Sequence, residues 1–515
     1  MKKILFFSIA AMAATHSFAQ EPADALRFSW TVPNGTARHQ AIGGAMGSLG
    51  GDITATFGNP AGLGFYKTSD GVITPAYRFG TNRSRFLNNR EVDRDGKLEF
   101  GTTGFVFGGG TNGKAKSVAL SLAFNTTANF RSDILYRGIN KQSSYSQKFL
   151  EEINNANIKD GNIVASDFYY GTSLAFNTFW IDTIGGGTNG NFQFQSRAAK
   201  LLSTGLIQEQ KVENRGGIYE GALGLAANVN DKVFLGGSLA IPYLNYKRES
   251  SFTEADATNN AANQFDFATF RESLQTKGAG INLKLGAIYK PSESWRLGLA
   301  FHTPTVYSLT DYFTYEVTTN TENYKGIYTD FSKDYTGGNK AATEYLHVTP
   351  YKAIGSISYV LREIQDVRKQ KGFLTADVEY VNYKASSYIA DTEEDVDATD
   401  QKTYYKDLNK AINEAYKGAF NFRVGGELKF TTIMVRAGAA YYGNPYKSIS
   451  GGKGDKLNLS GGLGYRNKGF FVDLTYVHSQ VADIHTPYRL QSAPFPTAKI
   501  KSTTGNVVAS VGFKF

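Results

Sequence analysis

The sequence predicts an all-β fold: an antiparallel transmembrane β-barrel of about fourteen strands with an N-terminal lumenal hatch of short helices. Three observations carry this. The chain ends in strict two-residue alternation, its alternating segments are joined by short and long links in turn, and an export leader opens a sequence with no helical membrane span. At the C-terminus Val507, Ala509, Val511, Phe513 and Phe515 share one face, while Val508, Ser510, Gly512 and Lys514 share the other. That is the period of a strand between two unlike environments. An edge strand of a soluble sandwich alternates in the same way. A strand that runs to an aromatic last residue is, however, how a bacterial outer-membrane barrel closes, with Phe513 and Phe515 as its assembly signal. Outer-membrane lipid, lipopolysaccharide and the outer-membrane assembly machinery are therefore the expected partners.

Lys2 and Lys3 precede the apolar run Ile4 to Ala14, and Ser17-Phe18-Ala19 stands before Gln20, the order of a cleaved secretory signal. The expected division is a signal peptide over 1–19, a hatch over 20–68 and a barrel over 69–515, located in the cell outer membrane. No other segment has about 18 uninterrupted apolar residues. The chain contains no cysteine, which excludes a lipoprotein anchor, disulfides and thiolate metal sites. Aromatic residues make up 14% of the chain, with 55 glycines and a mean hydropathy of −0.32. This profile fits aromatic girdles, glycines where strands bend, and strands with one face in water. The net charge is +9, two of it from the leader lysines. The remaining basic residues are dispersed, so they read as solvated loops and lumen, and no nucleic-acid partner is expected.

The strands are expected at 70–81, 98–109, 115–131, 212–228, 232–249, 274–290, 294–315, 346–361, 371–385, 419–430, 432–443, 456–466, 469–480 and 505–515. Leu120, Leu122 and Phe124 alternate with Ser121 and Ala123; Leu374 and Val378 with Thr375, Asp377 and Glu379; Leu457, Leu459 and Leu463 with Asn458, Ser460 and Gly464; Leu474 and Tyr476 with Asp473 and Thr475. The links alternate too: short at 110–114, 229–231, 291–293, 362–370, 431 and 467–468, long at 82–97, 132–211, 250–273, 316–345, 386–418, 444–455 and 481–504. Short turns at one rim and long loops at the other are the asymmetry of outer-membrane barrels. Phe168 to Ile181 alternates weakly. Counting it as a strand would make the number odd, so it is assigned to the 132–211 loop as helix or hairpin.

Residues 20–68 read differently. Ala37 to Gly51 is rich in small residues, including Gly43 and Gly44, and Asn59-Pro60-Ala61-Gly62-Leu63-Gly64 follows. Pro60 removes a backbone donor and biases Asn59 out of the helical region. A barrel of about fourteen strands encloses more space than its own side chains fill. Short helices and tight turns would close it; a periplasmic tail is the plainer alternative.

On Ala25-Leu26-Arg27-Phe28, Gly35-Thr36-Ala37-Arg38, Ala41–Gly51, Asn59–Gly64, Trp295–Pro304 and Gly464-Tyr465-Arg466, the chain resembles the FadL/TodX family of outer-membrane transporters of hydrophobic compounds, especially the versions found in Bacteroidota. The resemblance implies a hatch carrying Asn59, Pro60 and Ala61, with Gly62, Leu63, Gly64, Arg38, Gly43 and Gly44 as its gating neighbours. It implies passive uptake of long-chain fatty acids or other hydrophobic small molecules. These would be captured by outer loops and lumen, released by hatch rearrangement, and let out sideways through a kinked strand. Burial at about 25 cal/mol per Å² would suffice to draw an apolar solute in. The third strand lacks Gly or Pro to mark such a kink, whereas Gly101, Gly104 and Gly108–Gly110 lie in or beside the second. The alternative is a non-transport barrel subunit of an outer-membrane secretion or assembly complex.

Other chemistry is weaker. GGGTNG at Gly108–Gly113 and Gly185–Gly190 lacks the strand-to-helix setting of a dinucleotide site, and no G-x-S-x-G elbow occurs. No catalytic residue, cofactor or metal ligand is expected, and the chain is not read as an enzyme. His39, His302, His347, His478 and His485 are expected to be exposed, and Asp391–Asp397 to be a solvated acidic loop. Asp377, Glu379 and Asp473 should face inward and brace the hatch with Arg466 or other lumen cations. Tyr441, Tyr442, Tyr465 and Tyr476 should form interfacial belts.

Overall fold

The computed structural model describes residues 21–31, 34–110, 116–184, 192–362, 370–391, 398–448 and 454–515. They form a closed antiparallel barrel of fourteen strands. Strand β1 comprises Asp70–Ile73 and Pro75–Phe86, β2 Asn89–Phe100 and Thr103–Gly110, and β3 Ser117–Asn129 and Ser132–Asn140. Then come β4 Leu206–Asn228, β5 Val233–Asp256 and β6 Phe267–Tyr289. β7 is Trp295–His302 and Val306–Asn320, β8 Ala341–Val348 and Lys352–Arg362, β9 Gln370–Asn382 and Ser387–Ala390. β10 Gly418–Phe430, β11 Ile433–Tyr442, β12 Lys456–Asn467, β13 Phe470–His485 and β14 Ala498–Lys514 complete the ring. β14 pairs with β13 and also with β1, from Asp70 opposite Lys514 to Arg85 opposite Lys499. Ser69 and Phe515 exchange both backbone hydrogen bonds at 3.0 Å, so the ladder closes at the last residue.

The alternation sorts side chains as expected. Leu120, Leu122 and Phe124, Phe420, Phe422 and Val424, and Leu457, Leu459 and Leu463 all point outward and are exposed, with Leu299 at 69%. A continuous apolar belt of this kind exceeds the few hundred Å² that a soluble monomer exposes; it faces hydrocarbon. Tyr441, Tyr465 and Tyr476 are outward. Tyr442, expected with them, is buried, because it follows Tyr441 and takes the other face.

The expected long loops are corrected: strands also run into 250–273, 316–345 and 481–504, to Asp256 and from Phe267, to Asn320 and from Ala341, and to His485 and from Ala498. Residues 82–97 are not a long loop: Pro75–Phe86 and Asn89–Phe100 continue as a ribbon joined at Leu87-Asn88, both at positive φ (44° and 72°), as a two-residue hairpin of primed type requires. Beyond the hydrocarbon both faces of a strand meet water, so the apolar period vanishes while the ladder goes on. Ser132–Asn140 and the start of β4 extend their strands in the same way. The Phe168–Ile181 segment lies in the loop, as helix Thr172–Asn177 followed by the first strand of a hairpin, Ile181–Ile184 with Gln193–Ser196. This loop packs Tyr145, Phe149 and Trp180 onto Phe252, Phe270 and Tyr488. Buried Glu254 of β5 anchors it, accepting from Ser144 Oγ, Tyr145 N (3.0 Å), Trp180 Nε1 (2.9 Å) and Gln208 Nε2 (3.1 Å). Among the described residues no helix is long and apolar enough to cross a membrane. The expected leader, Gly185–Gly190 and most of the acidic run lie outside the described residues.

Candidate functional site

The N-terminal segment runs through the barrel. Helix α1 (Pro22–Ser29) starts near the long-loop rim, where Tyr416 Oη donates to Pro22 O at 2.8 Å. Helix α2 (Ala37–Ala41) lies against β11 to β14, and the 3-10 helices Ile53–Thr56 and Pro60–Phe65 against β2 to β6. In the second of these Pro60 takes the first helical position. Asn59 caps it, its Oδ1 accepting from Ala61 N at 3.2 Å, the arrangement that this residue pair favours. Asn59 Nδ2 donates to Gly47 O (2.5 Å), to Ala287 O of β6 and to Leu299 O of β7 (both 3.3 Å). Leu63 is fully buried on the alanine face of β3 and β4, and Ala61 on Phe234 and Ile288. Gly62 and Gly64 complete the turn, and both are buried.

Wall glycines make this contact close. A Cβ on Gly286 would lie 1.9 Å from Asn59 Oδ1, and one on Gly438 2.2 Å from Gly43 N. Glycine was expected where strands bend; at these positions it admits the Asn59 and Pro60 side chains and the backbone at Ile42-Gly43. Gly43 and Gly44 themselves have φ of +67° and +78°, open to glycine without steric cost.

Arg38 reaches Glu427 Oε2 (3.4 Å) and Gly51 O (3.2 Å). Glu427 also binds Arg436 (2.6 Å), Arg436 binds Asp473 (2.5 Å), and Arg466 stands 3.7 Å from Asp473. Asp377 accepts from Met46 N and Gly47 N, each at 3.1 Å, and Glu379 holds Arg423 at 3.1 Å. The inward carboxylates do brace the segment. Within it, Thr36 and Asp52 cap the two successive turns. Burial pushes the Asp52 carboxyl up, but the Arg38 guanidinium and the Thr54 amide outweigh it and hold it below the usual range. Burial takes the His39 imidazole down to about 4, with Arg423 and Arg38 adding to the depression and Asp52 opposing it. The expectation of exposed histidines fails at His39 and His347, both buried, because the lumen that would have wetted them is filled.

Between α1, the segment and the wall lies a cavity of about 140 Å³. Its charged lining is Glu220, Lys284, Lys352, Asp377, Glu379 and Arg423, with His302, whose Nε2 lies 2.6 Å from Gly58 O. Lys284 is paired with Glu220, and Lys352 Nζ donates to Thr31 Oγ1. On its long-loop side the cavity gives way to a packed apolar cluster: Leu244, Tyr246, Leu274, Tyr307, Leu309, Phe313, Tyr345, Tyr383 and Tyr388 of the wall pack with Leu26 and Phe28 of α1 and with Tyr405, Leu408 and Ile412 of helix α3 (Ala398–Ala415). Sequence reasoning named Asp377 and Glu379 as inward-facing and singled out the stretches that hold Phe28, Gly44, Asn59 and His302, but it did not bring them together around a cavity, and it missed the apolar cluster. Among the described residues no group of three or more His, Asp or Glu side chains could hold a metal ion.

The wall itself is interrupted between β2 and β3. Their ladder ends at Thr103 opposite Phe124, and the outer segments Asn89–Phe100 and Ser132–Asn140 pair only with β1 and β4 respectively. β3 bulges after Thr126 and breaks at Phe130-Arg131, without Gly or Pro; β2 breaks at Gly101-Thr102. Asn34 of the N-terminal segment fills the break from inside, donating to Thr126 O (2.9 Å) and accepting from Asn125 Nδ2 (3.4 Å).

Solved structures share the fold. The chain has the fold of a FadL homologue. That structure, from Pseudomonas aeruginosa, aligns over 95% of this chain and 100% of its own at 15% identity, with a TM-score of 0.56. The P. putida toluene transporter TodX aligns over 94% and 99% at 10% identity, TM-score 0.50, and the deltaS2 mutant of the TodX monoaromatic hydrocarbon channel over 94% and 100% at 10%, TM-score 0.51. No protein-family model and no curated protein matches the sequence.

Proposed function

We propose that this chain is an outer-membrane channel for the passive uptake of hydrophobic compounds, long-chain fatty acids or smaller hydrocarbons. Residues 1–19 are its export leader and 20–68 its hatch. Solutes are captured at the long-loop rim, held in the lumen, and released when the hatch, hinged on Asn59–Gly64, Gly43, Gly44 and Arg38, rearranges. They leave sideways through the break between β2 and β3. One observation carries the reading: the break begins just beyond Thr103 opposite Phe124, beside the outward apolar side chains Phe100, Phe105 and Phe124, and Asn34 of the N-terminal segment stands against it from inside. An apolar solute that passes there never has to enter water. The P. putida transporter of like fold is named for toluene, which supports the solute class. The test is uptake of a fluorescent fatty acid and of toluene by cells with and without the protein, and with Glu99 and Asn129, whose side chains meet across the break, replaced by cysteines and joined by a reducible crosslinker. Uptake should fall on crosslinking and return on reduction; indifference of both solutes to the protein sinks the proposal.

A second reading, a non-transport subunit of a secretion or assembly complex, is favoured by the exposed Tyr324, Ile327 and Tyr328 on one outer loop. Stoichiometric copurification with a larger complex, without bound hydrophobic solute, would support it.

A further inference from the structure

We infer that the outer surface of the barrel seam, where β14, β1 and β2 run past the hydrocarbon, binds the phosphate groups of outer-leaflet lipid A. The inference rests on the outer-membrane location proposed above and is independent of what the channel carries. Basic residues are dispersed along the sequence, but ring closure gathers six of them. Arg85 of β1 stands directly between Lys499 of β14 and Arg90 of β2, and Arg83 stands beside Lys501. Arg94 lies opposite Thr81, one layer nearer the apolar belt. All six side chains are exposed. Neighbouring strands are about 4.8 Å apart, so the first row sets three cations within about 10 Å. Like charges directly opposite one another destabilise a ladder. Among the described residues none of the six has an ion pair or a side-chain hydrogen bond to the protein. The carboxylates of the same ribbon turn the other way: Glu91, Asp93, Asp95 and Glu99 alternate with the cations of β2 and take its inner face. There Asp95 lies 3.9 Å from Arg131, and Glu99 accepts from Asn129. Asn82 Nδ2 and Ser84 Oγ fasten that inner face to Asp133 O and Leu135 O, each at 2.6 Å. The outer face is basic and carries no anion of its own.

Height selects the anion. Tyr77, Phe79 and Tyr476 form an outward row of rings, Phe79 lying 6.3 Å from Tyr77 and 6.5 Å from Tyr476, as an interfacial belt does. Each further outward layer is two residues along the strand, about 5 Å of height at the usual tilt. Arg94 therefore stands about 5 Å beyond Phe79, Arg83 and Lys501 about 10 Å, and Arg85, Arg90 and Lys499 about 15 Å, all toward the long-loop rim. The headgroup layer adds about 5–8 Å to each side of the hydrocarbon, and long basic side chains bend back to reach it. Guanidinium groups take phosphate through paired hydrogen bonds. A lipid can lay its chains on Phe79, Leu98 and Val507, all exposed, while its phosphate meets the cations above; a free anion gains nothing from the belt. A second copy turned about a two-fold axis would set these cations against their own kind.

The test uses the full chain in a zwitterionic detergent and titrates phosphorylated lipid A, dephosphorylated lipid A and inorganic phosphate by native mass spectrometry. A cation facing an anionic lipid surface is worth about fivefold in affinity. Combining Arg83→Gln, Arg85→Gln, Lys499→Gln and Lys501→Gln should therefore weaken binding of phosphorylated lipid A by more than about 100-fold. Removing the same charge from exposed positions elsewhere, with Lys384→Gln, Lys402→Gln, Lys406→Gln and Lys410→Gln, should leave it unchanged. Heat-modifiable migration verifies that each barrel is closed; Arg85→Gln alone, at the centre of the row, should cost about fivefold and serves if the quadruple variant does not close. Equal affinity of the seam variant and the unaltered chain, an equal loss in the control variant, or equal affinity for the two forms of lipid A overturns the inference. So does inorganic phosphate that binds as tightly as the lipid, or a dimer that the seam variant abolishes, because the face would then belong to a free anion or to a second copy. If lipid A binds as stated but the protein fractionates away from the outer membrane, the phosphate face stands and the location falls.

Discussion

Gly286→Ala is the sharpest probe of the proposed hatch. The new methyl would sit 1.9 Å from Asn59 Oδ1, 2.9 Å from Asn59 Cγ and 3.1 Å from Pro60 Cδ. The strand cannot retreat, because β6 is paired on both sides there, Gly286 with Gly236 and with Ala300. Asn59 must leave. It then loses its bond to Gly47 O, the two longer ones to Ala287 O and Leu299 O, and the cap on Ala61 N. At about 1 kcal/mol net per bond, with a cap of similar size, the seated state is destabilised by about 2–4 kcal/mol. The displaced population rises about 30-fold to about 1,000-fold. Hydrogen exchange over residues 43–66 in detergent should accelerate by that factor, and planar-bilayer recordings should show openings that the unaltered protein rarely makes. Gly355→Ala in β8, where a Cβ meets nothing within 4 Å, is the matched control. Heat-modifiable migration verifies that both barrels are closed. If both variants exchange as slowly as the unaltered protein, the wall glycines do not seat the motif and the reasoning fails.

Acidification should loosen the same segment: His39, held neutral by burial with its folded value near 4 against 6.5 when free, gives stability that is complete above pH 6.5 and lost as pH falls toward 4. The effect is about 3 kcal/mol, read as faster exchange over residues 37–66, and His39→Gln should flatten the profile. Glu254→Ala strands the donors of Ser144, Tyr145, Trp180 and Gln208 at about 2–4 kcal/mol. Trp180 emission should move to the red while the barrel stays folded; an unmoved spectrum would show that the loop does not depend on this anchor. Deletion of Phe515, which closes the ladder against Ser69, should lower the yield of heat-modifiable barrel in outer-membrane fractions, whereas Phe471→Leu, on the lumen face, should not.

The barrel was legible because hydrocarbon enforces a period of two. Leu457 to Tyr465 and Val507 to Phe515 show it plainly, and turn lengths alone ordered the strands. Legibility stopped at the membrane boundary. Asn89–Phe100 alternates charges rather than oils, and nothing local tells such a ribbon from a loop. The lumen was half legible. Inward carboxylates at Asp377, Glu379 and Asp473 could be named by parity, but their partners on strands far apart in sequence could not. Wall glycines such as Gly286 look, in one dimension, like those that bend a strand. The aromatic cluster stayed invisible because Tyr246, Tyr307 and Tyr388 are spread over three strands, and only closure of the ring brings them together.

The seam between first and last strands has a consequence for how this molecule is built. Ala37, made early, donates to the hydroxyl of Ser510, made almost last, at 2.7 Å, and Thr475 Oγ1 donates to Ala37 O at 2.7 Å. The leading stretch of the polypeptide therefore has no finished berth until the final hairpin zips shut, although it is moored at Asp70 on that very seam. It must be gathered inside an unfinished ring or threaded afterwards from an open end. Either way, its docking is the last step of maturation, and a half-assembled cylinder is an unstoppered one.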